Sequence, residues 1–158
     1  MNIVSLDLGS HMGLAHNVCE GVVISDSFLA EGPRAHRAAK IMNWLSVRFT
    51  EIKKAGTVDL VTYERPFARG MDATRCGWGI AGLIEALATE IFKCPVTDTD
   101  PQTIKKFATG NSRAGKDEMT EAAQRMGYTG FCEHEADAYC LLKYSEGNAT
   151  VLPSKGKR

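Results

Sequence analysis

The sequence predicts an α/β fold: a mixed five-stranded sheet, three antiparallel strands followed by two parallel ones, flanked by helices in a single domain. Three observations carry this. Three short apolar runs open the chain, the second and third separated by a turn signal. Two near-continuous apolar runs, Ile3-Val4-Ser5-Leu6-Asp7-Leu8-Gly9 and Val58-Asp59-Leu60-Val61-Thr62-Tyr63-Glu64, have the pattern of strands covered on both faces. Between and after them, apolar residues recur at helical spacing.

Gly9 ends the first run directly after its single carboxylate. The runs 13–19 and 22–28 flank Glu20-Gly21, a hairpin signal. From Arg34 to Lys54, residues Ala38, Ile41, Met42, Leu45, Phe49 and Ile52 follow the i, i+3, i+4, i+7 rule of an amphipathic helix, and Gly56 closes it. The run to Glu64 is the fourth strand, and Pro66 stops it. A long helix follows from Asp72 to Phe92. Pro95 to Thr99 reads as a short fifth strand, after which Asp100 caps a short helix with Pro101 in its first turn. A loop covers 109–115. Met119, Ala122, Ala123 and Met126 mark the next helix, ending before Gly127, and a last helix runs from about Glu133 to Tyr144. Residues 1–146 form the domain, and 147–158 read as a polar, frayed tail.

The helix from Asp72 to Phe92 carries two apolar stripes: Cys76, Ile80, Leu83, Ile84, Leu87 and Ile91, and then Trp78, Ala81, Ala88 and Phe92. A helix apolar on two sides is buried twice, here by its own core and by a second copy in a homodimer. Gly77, Gly79 and Gly82 cost about 1 kcal/mol each against Ala in a helix, which close approach by a neighbour explains. The alternative is a central helix in a monomer.

At 158 residues the chain can bury a single core without staples. Nineteen basic and 19 acidic residues give a net charge of zero, so global electrostatics favour no class of partner and local charge decides. Five cysteines, an odd number without a C-x-x-C pair, read as reduced, buried thiols in a cytoplasmic protein. No basic leader precedes an apolar segment, and no apolar run approaches the roughly 18 residues of a membrane span, which argues against a membrane partner.

Asp7 has no structural excuse. An ionised carboxylate ending a buried strand costs several kcal/mol, on the order of an unpaired buried charge, unless it is paired, hydrogen-bonded or metal-bound; capping the next turn or pairing with an Arg are the plain alternatives. Glu64 ends the second buried strand in the same way. Side by side, the two would repel unless a cation lay between them. The last helix adds Glu133, His134 and Asp137 on one side. Oxygen and imidazole donors from two strands and a helix suit Mg²⁺ or Mn²⁺, and a pair of such ions supports phosphodiester cleavage. Glu133 and Glu135 otherwise read as solvated helix-face charges.

At this point the motifs become specific. Leu6-Asp7-Leu8-Gly9, then Tyr63-Glu64-Arg65-Pro66-Phe67, the run PQTIKKFATGNSRAGK from Pro101 to Lys116 followed by Asp117, and His134-Glu135-Ala136-Asp137-Ala138 resemble, in order and spacing over about residues 1 to 145, the RuvC family of Holliday junction resolvases in the RNase H-like superfamily, as a divergent, phage-type member. The resemblance implies an RNase H-like fold and a metal-dependent endonuclease, homodimeric through the helix 72–92, that cuts two symmetric strands of a four-way DNA junction. It implies that Asp7, Glu64 and Asp137 are metal carboxylates. His134 stands where many members have Asp and some have His. Lys105 and Lys116 match lysines near the scissile phosphate and the DNA backbone, and Phe67 matches an aromatic that stacks on an unpaired base. The chain departs from the family in its zero net charge.

Charge distribution independently permits DNA binding. Lys105, Lys106, Arg113 and Lys116 gather within 100–116, Arg65, Arg69 and Arg75 follow Glu64, and Lys155, Lys157 and Arg158 end the tail, so positive charge is concentrated beside the acids. An exposed helix face is the alternative for Lys105 and Lys106. For His134, an imidazole replaces a fourth negative charge and favours Mn²⁺ over Mg²⁺; a hydrogen bond to the helix terminus or to DNA is its alternative, with Glu133 the next candidate ligand. Competing functions are a nuclease for flaps, forks or RNA–DNA hybrids, and a catalytically silent DNA-binding module. An actin-like ATPase would need a duplicated domain, for which 158 residues without a repeat leave no room.

Overall fold

The computed structural model describes residues 1–19, 21–67 and 70–148. Glu20, Ala68, Arg69 and the segment 149–158, with Lys155, Lys157 and Arg158, lie outside them. Ten elements follow in order: β1 (Ile3–Asp7), β2 (His11–Cys19), β3 (Val22–Leu29), α1 (Arg34–Ala55), β4 (Leu60–Glu64), α2 (Met71–Ile91), β5 (Val96–Thr99), α3 (Pro101–Thr109), α4 (Lys116–Arg125) and α5 (Glu133–Asn148). The predicted element order holds. The last helix runs on to Asn148, two residues into the segment read as tail.

The five strands form one sheet in the order β3-β2-β1-β4-β5. β1–β2 and β2–β3 are antiparallel, and β1–β4 and β4–β5 are parallel, the mixed sheet that the sequence predicts. Alternation along the strands divides their side chains between two cores. Val4, Leu6, Val61 and Tyr63 pack with α1 and α2 through residues such as Leu45, Phe49, Ile84 and Ala88. Ile3 and Leu60 point to the opposite face and pack with α3, α4 and α5 through Ile104, Met119, Ala138 and Leu142. By the same two-residue period, Ser5 and Asp7 on β1 and Thr62 and Glu64 on β4 face α5. No helix among the described residues is long and apolar enough to cross a membrane.

Local chemistry explains most boundaries. Asp100 accepts from the Gln102 amide at 2.8 Å and Pro101 starts α3, because the pyrrolidine fixes a helical φ and lacks only an N–H with no helical partner. Gly110 ends that helix in the left-handed region at φ 80°. The Glu118 side chain accepts from the Gly115 amide at 2.7 Å at the start of α4.

Helix α2 corrects the two-stripe reading. Ile80, Ala81, Ile84 and Ala88 all belong to the inner core, together with Phe92 just past the helix end, so Ala81, Ala88 and Phe92 are not an outward stripe. Trp78 is 48 % exposed. Gly79 and Gly82 face open space, while Gly77 lies where a Cβ would come within 2.8 Å of the Pro66 ring. Close approach within the protomer therefore accounts for Gly77 alone. The cysteines also differ from expectation: all five are free, but only Cys140 is buried and the others are half-buried.

The sheet's grip on α5 is tightest at β2. A Cβ on Gly13 would sit 1.8 Å from the His134 carbonyl oxygen and 2.9 Å from the Glu135 amide nitrogen, so only glycine lets the first turn of α5 lie against the strand. Gly13→Ala should therefore destabilise the fold by about 3 kcal/mol or more, at or above the upper end of ordinary overpacking. Urea unfolding measures this, and a loss below about 1 kcal/mol would mean that α5 shifts without cost.

Candidate active site

Parallel pairing of β1 with β4 sets Leu6 beside Tyr63. One step further along that register, Asp7 and Glu64 leave the two strands at the same level and on the face covered by α5. Ser5 Oγ donates to the Ala138 carbonyl at 2.8 Å, which fixes the height of α5 over β1. His134 Nδ1 lies 2.7 Å from Asp7 Oδ2 and donates to it, since an ionised carboxylate only accepts. Asp7 thus has an imidazole partner in place of the arginine considered from sequence, and the Leu8 amide of the following turn bonds to it as well. Asp137, one turn after His134, repels both Asp7 and Glu64 electrostatically.

Burial and mutual repulsion dominate the charges here. Glu64 is pushed up to about 8, first by burial and then by Asp7 and Asp137, with Lys105 opposing. Asp137 is pushed up to about 7 by burial and Asp7, against His134 and Lys105. Burial also raises Asp7, although the His134 hydrogen bond pulls it down. His134 is raised by that bond and by the surrounding acids, so the imidazolium is favoured. Two acids that hold protons near neutral pH, Glu64 and Asp137, beside the buried, histidine-bonded Asp7 are a donor set that calls for a cation. Hard oxygen donors plus one imidazole suit a divalent ion of the Mg²⁺ or Mn²⁺ kind. No cluster of three or more His, Cys, Asp and Glu side chains among the described residues forms a ready-made cage; the ring of His134 instead draws the Asp7 carboxylate to itself.

The lysines divide. Lys105 on α3 acts on both Glu64 and Asp137, which favours a place at the site over the plain exposed-face reading. Lys106, Arg113 and Phe67 are exposed, with Phe67 at 65 % beside Glu64, Leu8, Gly9 and Ser10 in a depression of about 250 Å³. Lys116 pairs with Glu133, whose Oε1 lies 3.5 Å from His134 Nε2. Arg65, grouped with the basic cluster from sequence, pairs instead with Asp98. Arg69 lies outside the described residues.

The solvated-face reading fails for Glu135, while the Glu133 side chain remains 38 % exposed. Glu133 serves Lys116, and Glu135 is half-buried and accepts from Ser25 Oγ at 2.7 Å, Ser27 Oγ at 2.9 Å and the Tyr128 hydroxyl at 3.4 Å. These bonds lash the first turn of α5 to β3. Sequence reasoning missed Glu135 because Ser25 and Ser27 lie 110 and 108 residues away. It missed His11 too, whose ring centroid is 4.2 Å from that of His134; its place after Gly9 on the same sheet end was the available signal.

No protein-family model and no curated protein matches the sequence. Solved structures do. The structure of RuvC from Thermus thermophilus is similar over 95 % of this chain and 98 % of its own, with a TM-score of 0.71 at 20 % identity. The T. thermophilus RuvC in complex with Holliday junction substrate is similar over 94 % of each chain, with a TM-score of 0.75 at 20 % identity. Agreement across nearly the whole of both chains gives this chain a RuvC-like, RNase H-like fold, the class that the sequence motifs imply.

The charge arrangement sets a pH dependence. Between the ordinary carboxylate range and the raised values of about 7 and about 8, the folded state holds protons that the unfolded chain has released. Stability without a bound cation therefore falls as pH rises through that window. His134 acts in the same direction, since the stability from its raised pKa is complete at low pH and lost as pH climbs through the folded value. In chelator, the melting temperature should decline from about pH 5 to about pH 8, and Glu64→Gln should raise it by several degrees at the upper end. An identical slope in the variant would remove Glu64 from the coupled group.

Proposed function

We propose that the chain is a divalent-metal-dependent endonuclease that resolves four-way DNA junctions as a homodimer. The observation that carries this reading is the cluster of mutually repelling buried carboxylates from β1, β4 and α5, flanked by Lys105 and the exposed Phe67, on a RuvC-like fold. The similar T. thermophilus RuvC bound to Holliday junction substrate supports branched DNA as the partner.

In this reading Asp7, Glu64 and Asp137 hold the metal, Mg²⁺ or Mn²⁺ and two ions per site, with His134 as the fourth donor. The metal supplies an activated water and stabilises the leaving oxygen. Lys105, next to two of the acids, orients the scissile phosphate. Lys116 exchanges Glu133 for a phosphate oxygen when DNA arrives, so Glu133 keeps the lysine extended toward the site until then. Lys106, Arg113 and Arg69 grip the backbone, and Phe67 stacks on an unpaired base at the junction centre. Because only the unprotonated imidazole binds metal, His134 must surrender a proton as the site loads, and activity falls in acid.

A cleavage panel tests the reading. Wild type with Mg²⁺ or Mn²⁺ should cut a four-way junction in two symmetric strands faster than a flap, a fork or an RNA–DNA hybrid. Asp7→Asn and Glu64→Gln should each lower the rate at least about a hundredfold while junction binding stays nearly intact. Preferential cutting of a hybrid or flap would assign another substrate, and residual activity in both variants above that limit would remove the carboxylates from the reaction.

The homodimer rests on the outward side of α2, where Trp78 is exposed and Gly79 and Gly82 leave open space for a second backbone. Gly82→Arg should yield a folded monomer, whereas Ala81, 1 % exposed, would damage the core if substituted. Sedimentation at micromolar concentration should show a wild-type dimer, and a wild-type monomer would overturn the assignment.

A further inference from the structure

Phe131 is 89 % exposed, more than any other large apolar side chain among the described residues. Its loop is not slack. The Tyr128 hydroxyl accepts from the Cys132 amide at 3.2 Å and shares its one proton between the Cys132 carbonyl at 3.1 Å and Glu135 at 3.4 Å, and Gln124 Nε2 donates to the Gly130 carbonyl at 3.4 Å. An aromatic ring is thus held out in water by a stapled loop, at a cost in apolar exposure that folding alone does not explain.

Its surroundings lead back to the acids. Phe131 shares an open depression of about 480 Å³ with Lys116 and Glu133, and Glu133 leads through His134 to Asp7. The first turn of α5 lies over β2, on one side of β1, whereas Glu64 and Phe67, at the end of β4 on the other side of β1, share their own depression. The carboxylate centre therefore lies between two open hollows, each carrying an exposed phenylalanine. The hollow at Phe131 is polar apart from that ring, which does not suit a protein partner's apolar anchor. A flat ring beside a lysine does suit a nucleotide, which offers a π-face and a phosphate together. The hollow also holds acids: Glu133 pairs with Lys116 and Glu121 with Arg125 at 3.8 Å, while Asp117 adds its charge in the first turn of α4. Lys116 therefore reaches a phosphate only by leaving Glu133, and the ring carries the contact.

We infer that Phe131 is a second DNA-contacting aromatic, stacking on a nucleotide that flanks the scissile phosphate on the side away from Phe67. This rests on the nuclease reading. It divides the work: Phe67 takes a base at the junction centre, and Phe131 fixes the strand's exit past Lys116, setting which phosphate sits over the carboxylates.

The test compares Phe131→Ala, Phe131→Trp and Phe67→Ala with wild type on a four-way junction carrying 2-aminopurine at each nucleotide near the cut, with binding read by anisotropy and cleavage under single-turnover conditions. Phe131→Ala should keep the wild-type melting temperature, weaken binding or slow cleavage by about tenfold, the order expected for loss of one stacked base, and blur the cut position; Phe131→Trp should restore the rate to within about threefold. The 2-aminopurine signal lost in Phe131→Ala should persist in Phe67→Ala at that same nucleotide. If wild type cuts and binds junctions while Phe131→Ala matches it in affinity, rate, cut position and fluorescence, the inference is overturned and the nuclease reading stands. Loss of the dimer in Phe131→Ala with fluorescence unchanged would make the ring a contact between copies and overturn it too. A wild type that neither binds nor cuts any branched DNA would bring down both.

Discussion

Repulsion among Asp7, Glu64 and Asp137 is the constraint around which the described structure is built. The parallel register of β1 and β4 brings two carboxylates to one level on one face, and α5 lowers a third onto them. In an ordinary core, such a grouping would relax by turning side chains to solvent. Here burial raises the proton affinity of each acid, and the charge of Asp7 raises that of Glu64 and Asp137 further. The fold stores an unmet demand for positive charge, which His134, Lys105, a proton or a cation can each supply in part.

Holding α5 against that repulsion requires attachments elsewhere along it. Gly13 removes the side chain that would lift the helix from β2, Ser5 bonds to the Ala138 carbonyl, and Glu135 ties the first turn to the β3 edge. Apolar packing below, through Ala136, Ala138, Leu141 and Leu142, supplies the bulk of the adhesion. The polar contacts set position, which matters more for the His134–Asp7 contact than their net energy, since hydrogen bonds contribute about 1 kcal/mol each.

A zero net charge is compatible with an anionic partner because the charges are sorted locally. Arg65 is neutralised by Asp98 and Arg48 by Asp26 and Glu51, whereas Lys105 acts on the acids of the site. Lys116 remains beside the site but is engaged by Glu133. Composition averages over these pairings, and local geometry decides which cations can meet a phosphate.

The order of strands and helices, the opening hairpin, the cap of α3 and the two strand-end acids were legible in the sequence, because period-two and period-3.6 apolar patterns and turn residues act over a few neighbours. The sequence singled out His134 and Asp137 for the same reason, being one helical turn apart. Tertiary structure alone decided what those residues touch: that Asp7 meets an imidazole, that Glu135 is held by two serines of a distant strand, that Lys116 leans on Glu133, and that Ala81 and Ala88 turn inward on α2 while Gly79 and Gly82 turn out. A helical period says which residues share a face, but which face meets the sheet is set by packing between segments far apart in the chain, and no local pattern contains that.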